Sequence, residues 1–264
     1  MYKINNLLEN DDIRVAESKA GMDVVEYMSD LSVMPSTAIV AYYCARMGVR
    51  KRQLMINLDN NEYTISAGAM QWTAGNVQAS ADVKGIGDFI GKSIKGGITK
   101  ESAVKPKYHG TGVLMLEPTY KHILLEDLSN WKGGIVLDDG MFLACESKIN
   151  QKVVARTNLS SALLGNEGLF NLCLEGNGYV ALESPVPREE LVEIELDNDE
   201  LRIDGNFAVA WSRDLEFTVE KSTRSLVGSA VSGEGLVNVY RGTGKVLMAP
   251  VRNLTSKSIS SISM

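Results

Sequence analysis

Beyond about residue 50 the chain alternates apolar and polar residues with a period of two, the signature of strands that bury one face and wet the other. Val192, Ile194 and Leu196 alternate with Glu193 and Glu195, Leu201 and Ile203 flank Arg202, and Leu215, Phe217 and Val219 flank Glu216 and Thr218. Asp139-Gly140 and Asp204-Gly205 lie between such stretches and predict tight hairpins, because dipeptides of this kind reach positive φ at both central positions. The first fifty residues differ. Met22 to Met34 is mixed, and Ser36 to Met47 carries alanines and an apolar run too short for periodicity to separate helix from buried strand. Pro35 near its start and Gly48 just past its end favour a short helix. The serine-rich tail, 253–264, reads as a flexible end.

A second pattern is superimposed on the first. A glutamate leads into a Gly-x-Gly step at Glu101, Glu167 and Glu234, nine, nine and eight residues ahead of Gly110, Gly176 and Gly242. Gly110-Thr-Gly112, Gly176-Asn-Gly178 and Gly242-Thr-Gly244 follow one another at offsets of 66, and the stretch from Asp138 matches the one from Ile203 at an offset of 65. Such self-similarity implies an internally duplicated β architecture. The six glycines read as structural turns or bulges where side chains would clash. The division this suggests is an N-terminal extension over 1–50 integrated with a duplicated β domain over 51–252, with repeats of about 51–150 and 151–252.

Three stretches, Gly233 to Pro250, Asn166 to Pro185 and Ser66 to Ser80, resemble the family named altered inheritance of mitochondria twenty-four, which has many bacterial members. The resemblance covers roughly residues 50–251. It implies an all-β fold with little helix, built as tandem antiparallel β-sandwich modules similar to the tryptophan RNA-binding attenuation protein and related by a pseudo-twofold repeat. It also implies a homotrimer whose six modules form a ring. The motifs are glycines and apolar residues, and carry no catalytic signature.

Composition narrows the function classes. With 44% hydrophobic residues the chain can bury a core, while a net charge of −6 and a pI near 5.1 argue against nucleic acid as a partner of the whole protein. Cys44, Cys145 and Cys173 are odd in number and set among apolar residues, as expected of reduced thiols. The longest apolar run, Ala38 to Ala45, is far short of the roughly 18 residues a membrane-spanning helix needs. The N-terminus has neither signal-peptide nor transit-peptide character, so a cytoplasmic location is expected.

Charge is nevertheless polarised. Residues 84–107 hold six lysines against Asp88 and Glu101. There Lys84, Phe89, Ile90, Lys92, Lys95 and Lys100 make a candidate partner-binding loop, able to meet an acidic protein, RNA or an anionic membrane surface peripherally. Gly91-Lys92-Ser93 imitates the end of a P-loop but fails on spacing, since Gly87 leaves three intervening residues and Gly85 five where four are needed. Arg46, Arg50, Lys51 and Arg52 form a second basic cluster. Eight acids between Arg188 and Asp204 face two arginines, and their alternation with apolar residues reads as a solvated strand face. His109 and His122 lack partners at metal-binding spacing, no Cys-x-x-Cys or Gly-x-Ser-x-Gly occurs, and no cofactor, metal or catalytic residue is expected. The resulting expectation is a non-catalytic oligomeric scaffold or partner-binding protein. Its alternative is a small-ligand, RNA or anionic-surface binding module using the loop 84–107.

Overall fold

A computed structural model describes residues 2–29, 32–80, 105–155, 170–205, 207–221 and 236–250. The fold is all-β: two curled antiparallel sheets and, among the described residues, one α-helix and two single 3-10 turns. In chain order the elements are β1 (Ile13–Lys19), β2 (Met22–Tyr27), α1 (Ala38–Arg46), β3 (Arg52–Ile65), β4 (Met70–Ser80), β5 (Lys107–Leu116), β6 (His122–Asp127), β7 (Ile135–Leu137) and β8 (Phe142–Glu146). There follow β9 (Asn150–Ala155), β10 (Phe170–Glu175), β11 (Tyr179–Ser184), β12 (Val192–Asp204), β13 (Ala208–Ser212), β14 (Glu216–Lys221) and β15 (Leu236–Met248).

The first sheet runs β1-β2-β3-β8-β11-β6, with β5 on β3 and β4 on β5; the second runs β12-β15-β13-β7-β10-β9, with β14 on β15. Each sheet holds a long pair bulged at an asparagine. In the first, β3 pairs β5 around a bulge at Asn60, whose φ of 54° lets it turn out of the ladder, with Asn61 opposite Gly110 and Leu58 opposite Gly112. In the second, β12 pairs β15 around Asn198, φ 53°, with Asp199 opposite Gly242 and Leu196 opposite Gly244. The middle copy of the motif is split. Its outer half, β6 with β11, joins the first sheet, while its inner half, β7 with β10, joins the second. Gly176 and Gly178 stand where the chain passes from one sheet to the other.

This shared copy explains the strands that do not alternate. Leu124, Phe142, Cys145, Val180 and Leu182 of the first sheet meet Ile135, Leu137, Leu172, Leu174 and Val209 of the second in one core. The opposite faces of the same strands, Ile123, Leu125 and Ala181 on one side and Val136 and Cys173 on the other, close cores inside each curl. Strands buried on both faces read as continuous apolar runs. A fourth cluster lies outside the first sheet, where Ile4, Leu7 and Trp72 pack on Val25, Met55, Val113 and Met115.

The two hairpins expected at Asp139-Gly140 and Asp204-Gly205 do not form. Only the glycines have positive φ, 78° and 74°, so neither dipeptide makes the turn that needs both. Instead β7 and β8 enter different sheets, and β12 and β13 flank β15 on opposite sides. A hairpin does form at Ala20-Gly21, with φ of 47° and 76°, joining β1 to β2.

Candidate functional site

Lys84, Phe89, Ile90, Lys92, Lys95 and Lys100 lie outside the described residues. Of the six glycines, Gly110, Gly112, Gly242 and Gly244 sit within continuous strands, and Gly176 and Gly178 at the crossing between sheets. At Gly110 the need for glycine is clear: φ is 122° and a Cβ would collide with the Asn76 carbonyl oxygen on β4.

The structure brings together a group that the sequence scatters. Strand pairing sets Arg14, Glu26 and Arg52 side by side across β1, β2 and β3. Glu26 is buried and takes a 2.7 Å ion pair from Arg14, another of 2.7 Å from Arg52, and a 3.7 Å contact from Arg50. Burial raises the Glu26 carboxyl, but the hydrogen bonds and charges of Arg14 and Arg52 outweigh it and hold the group below its ordinary value. Arg52 also donates to the Arg50 and Lys121 carbonyls and, at 3.2 Å, to the Gly48 carbonyl just past α1. Three arginines on one carboxylate give the cluster itself an excess of positive charge, which Glu189 and Glu190, near enough to act on His122, partly offset. The Arg50 Nε is buried without a hydrogen-bond partner. His122 lies within the same field; burial and then the Arg52 charge push its pKa down, against an upward pull from Glu26, Glu190 and Glu189.

The turn held by Arg52 ends α1, where the burial order of a surface helix is reversed. A helix places residues 39, 42, 43, 46 and 47 on one side and 38, 41, 44 and 45 on the other. The half-covered side is small: Ala38, Ala41, Cys44 and Ala45. The bulky side points to solvent, with Ile39 72% exposed, Tyr43 63%, Met47 82% and, beside the stripe, Val40 64%. No residue of the helix is buried. Arg46 sits in the stripe with its Nε and Nη2 donating to the Tyr42 hydroxyl at 3.1 and 3.0 Å. Globular proteins seldom expose contiguous apolar surface without something to cover it. The sequence shows the helix; which of its sides is covered is a tertiary fact.

The acidic stretch behaves as a solvated edge. Glu193 pairs with Arg188 and, at 3.5 Å, Lys245, while Glu200 takes Arg202 and Arg241, each at 2.5 Å. Burial pushes the thiol of Cys145 up to about 12 and that of Cys173 up to about 11, so both stay protonated at neutral pH. All three cysteines are free. Among the described residues no three His, Cys, Asp or Glu side chains are gathered as metal ligands. The tryptophans are packed: Trp211 lies 5.5 Å from Phe217 and 5.4 Å from Tyr240 between ring centres, and Trp131 donates to Glu126 under the Lys245 ammonium.

Comparison with known proteins agrees with this architecture. The chain is 30% identical over 190 residues to an uncharacterised protein of Streptococcus pyogenes serotype M6, covering 69% of this chain and 74% of the relative. A crystal structure of another Streptococcus pyogenes protein superposes with a TM-score of 0.56 at 24% identity, over 81% of this chain and 92% of that one, and so shares the fold. The family model described as Mitochondrial biogenesis AIM24 matches residues 46–251. A match over most of the chain shows its membership: this protein belongs to the Mitochondrial biogenesis AIM24 family.

Proposed function

We propose that this protein is a non-catalytic, partner-binding scaffold, acting as a homo-oligomer in the cytoplasm. The observation that carries the reading is α1, a helix with no buried residue whose small side is half-covered and whose large apolar side points outward. An enzyme gains nothing from such a surface unless it docks something, whereas a scaffold is defined by it. The free thiols, two buried and one half-buried, support a reducing compartment. No helix of the described residues is long and apolar enough to cross a membrane. The trimer belongs to the same proposal. Native mass spectrometry of gently purified protein tests it: three chains are expected, and a bare monomer at micromolar concentration would overturn the assembly.

A further inference from the structure

We infer that the outward face of α1 is an interfacial anchor that seats the protein on an anionic lipid surface. The inference rests on the partner-binding reading and names its partner. Three features select lipid. The first is side-chain chemistry. Ile39, Val40 and Met47 offer aliphatic surface, and Tyr42 and Tyr43 add amphipathic rings suited to the headgroup level. The second is charge. No Asp or Glu occurs between Asp30 and Asp59, while Arg46, Arg50, Lys51 and Arg52 do, in a chain whose net charge is −6. The Glu26 cluster, with two more arginines than carboxylates, touches the turn that ends the helix through Arg52 and Gly48. That arrangement complements phosphate headgroups. The third is what the same charge excludes. Face-to-face pairing of two α1 helices would bring two positive ends together, which disfavours that contact; packing of α1 on a different surface of a second copy is the outcome that native mass spectrometry reads below.

The geometry suits lying on a bilayer rather than crossing it, since nine residues of helix reach only about 14 Å. The outward side chains would enter the boundary between headgroups and acyl chains, with Arg46 snorkelling to phosphate.

Vesicle flotation of the full chain tests this with phosphatidylcholine alone and with phosphatidylcholine mixed with phosphatidylglycerol. Binding is expected only to the mixed vesicles and should weaken as salt rises. Ile39→Ser with Tyr43→Ser should abolish it, and Arg46→Gln should weaken it about five-fold. All three side chains are exposed, so thermal melting should be unchanged. Absence of binding to mixed vesicles overturns the inference, as does binding that survives Ile39→Ser with Tyr43→Ser, which would move the contact elsewhere on the chain. Native mass spectrometry of that double variant keeps the two readings apart: no vesicle binding by the parent, together with loss of assembly in the variant, makes α1 a protein interface, which sinks the lipid anchor and leaves the scaffold standing.

Discussion

The two sheets carry mirror-image ion clusters in opposite surroundings. On the first, one carboxylate, Glu26, gathers Arg14, Arg50 and Arg52; on the second, one arginine, Arg241, gathers Glu200 at 2.5 Å and Glu220 at 2.6 Å, with Arg202 closing the ring. Both are cross-strand ladders, since Arg14 faces Glu26 and Glu26 faces Arg52, just as Glu200 faces Arg241. Glu26 and Arg52 are buried, whereas the side chains of Arg241, Glu200 and Glu220 are each about one third exposed and within reach of water. The difference teaches where an ion pair matters. Water and salt can replace the Arg241 pairs almost without loss, but nothing can replace Glu26 beneath two buried or half-buried guanidinium groups.

The sharpest way to break the comparison is Glu26→Gln. It leaves buried arginine charge uncompensated and should destabilise the protein by about 3 kcal/mol or more, read from urea unfolding. A loss below about 1 kcal/mol would show that water already reaches the cluster. A smaller effect concerns His122. Its pKa is depressed in the folded state, so its contribution is fully present above the unfolded value of about 6.5 and is lost as pH falls through the folded value. His122→Asn should flatten the decline of melting temperature between about pH 7 and 5; an unchanged slope would place the acid sensitivity elsewhere. The smallest effect is expected from Glu220→Gln, on the order of 0 to 1 kcal/mol and vanishing in about 1 M salt. The Arg241 hydrogen bond holds Glu220 down at about 2, so whatever it contributes is present above its unfolded value near ~4.3 and is lost as pH falls towards 2. A Glu220→Gln cost that persists in high salt would make the two clusters equivalent.

Most of the fold was legible in the residues. Alternation identified β12 and β14 because one face of each meets water, and the recurring Gly-x-Gly marked the two long strand pairs and the crossing between sheets, with backbone crowding explaining the glycine at Gly110. The helix was signalled by Pro35 and by Gly48, whose φ is 79°. What failed was partnership. Asp139-Gly140 and Asp204-Gly205 look like hairpins because the dipeptide is local, but where β8 and β13 pair is settled by distant strands. The Glu26 cluster had no local signal at all, as Arg14, Glu26 and Arg52 meet only once β1, β2 and β3 are in register.

The division of the middle copy between the sheets also bears on how the chain is made. β7 leaves the ribosome before β8, yet it must wait for β10 and β13 to flank it, while β8 and β6 remain without a common neighbour until β11 emerges at Tyr179–Ser184. The first sheet therefore has its full set of strands once Ser184 has emerged, whereas the second waits for β15 at Leu236–Met248, so the longest pairing of that sheet, β12 with β15, becomes possible only when nearly the whole chain is present.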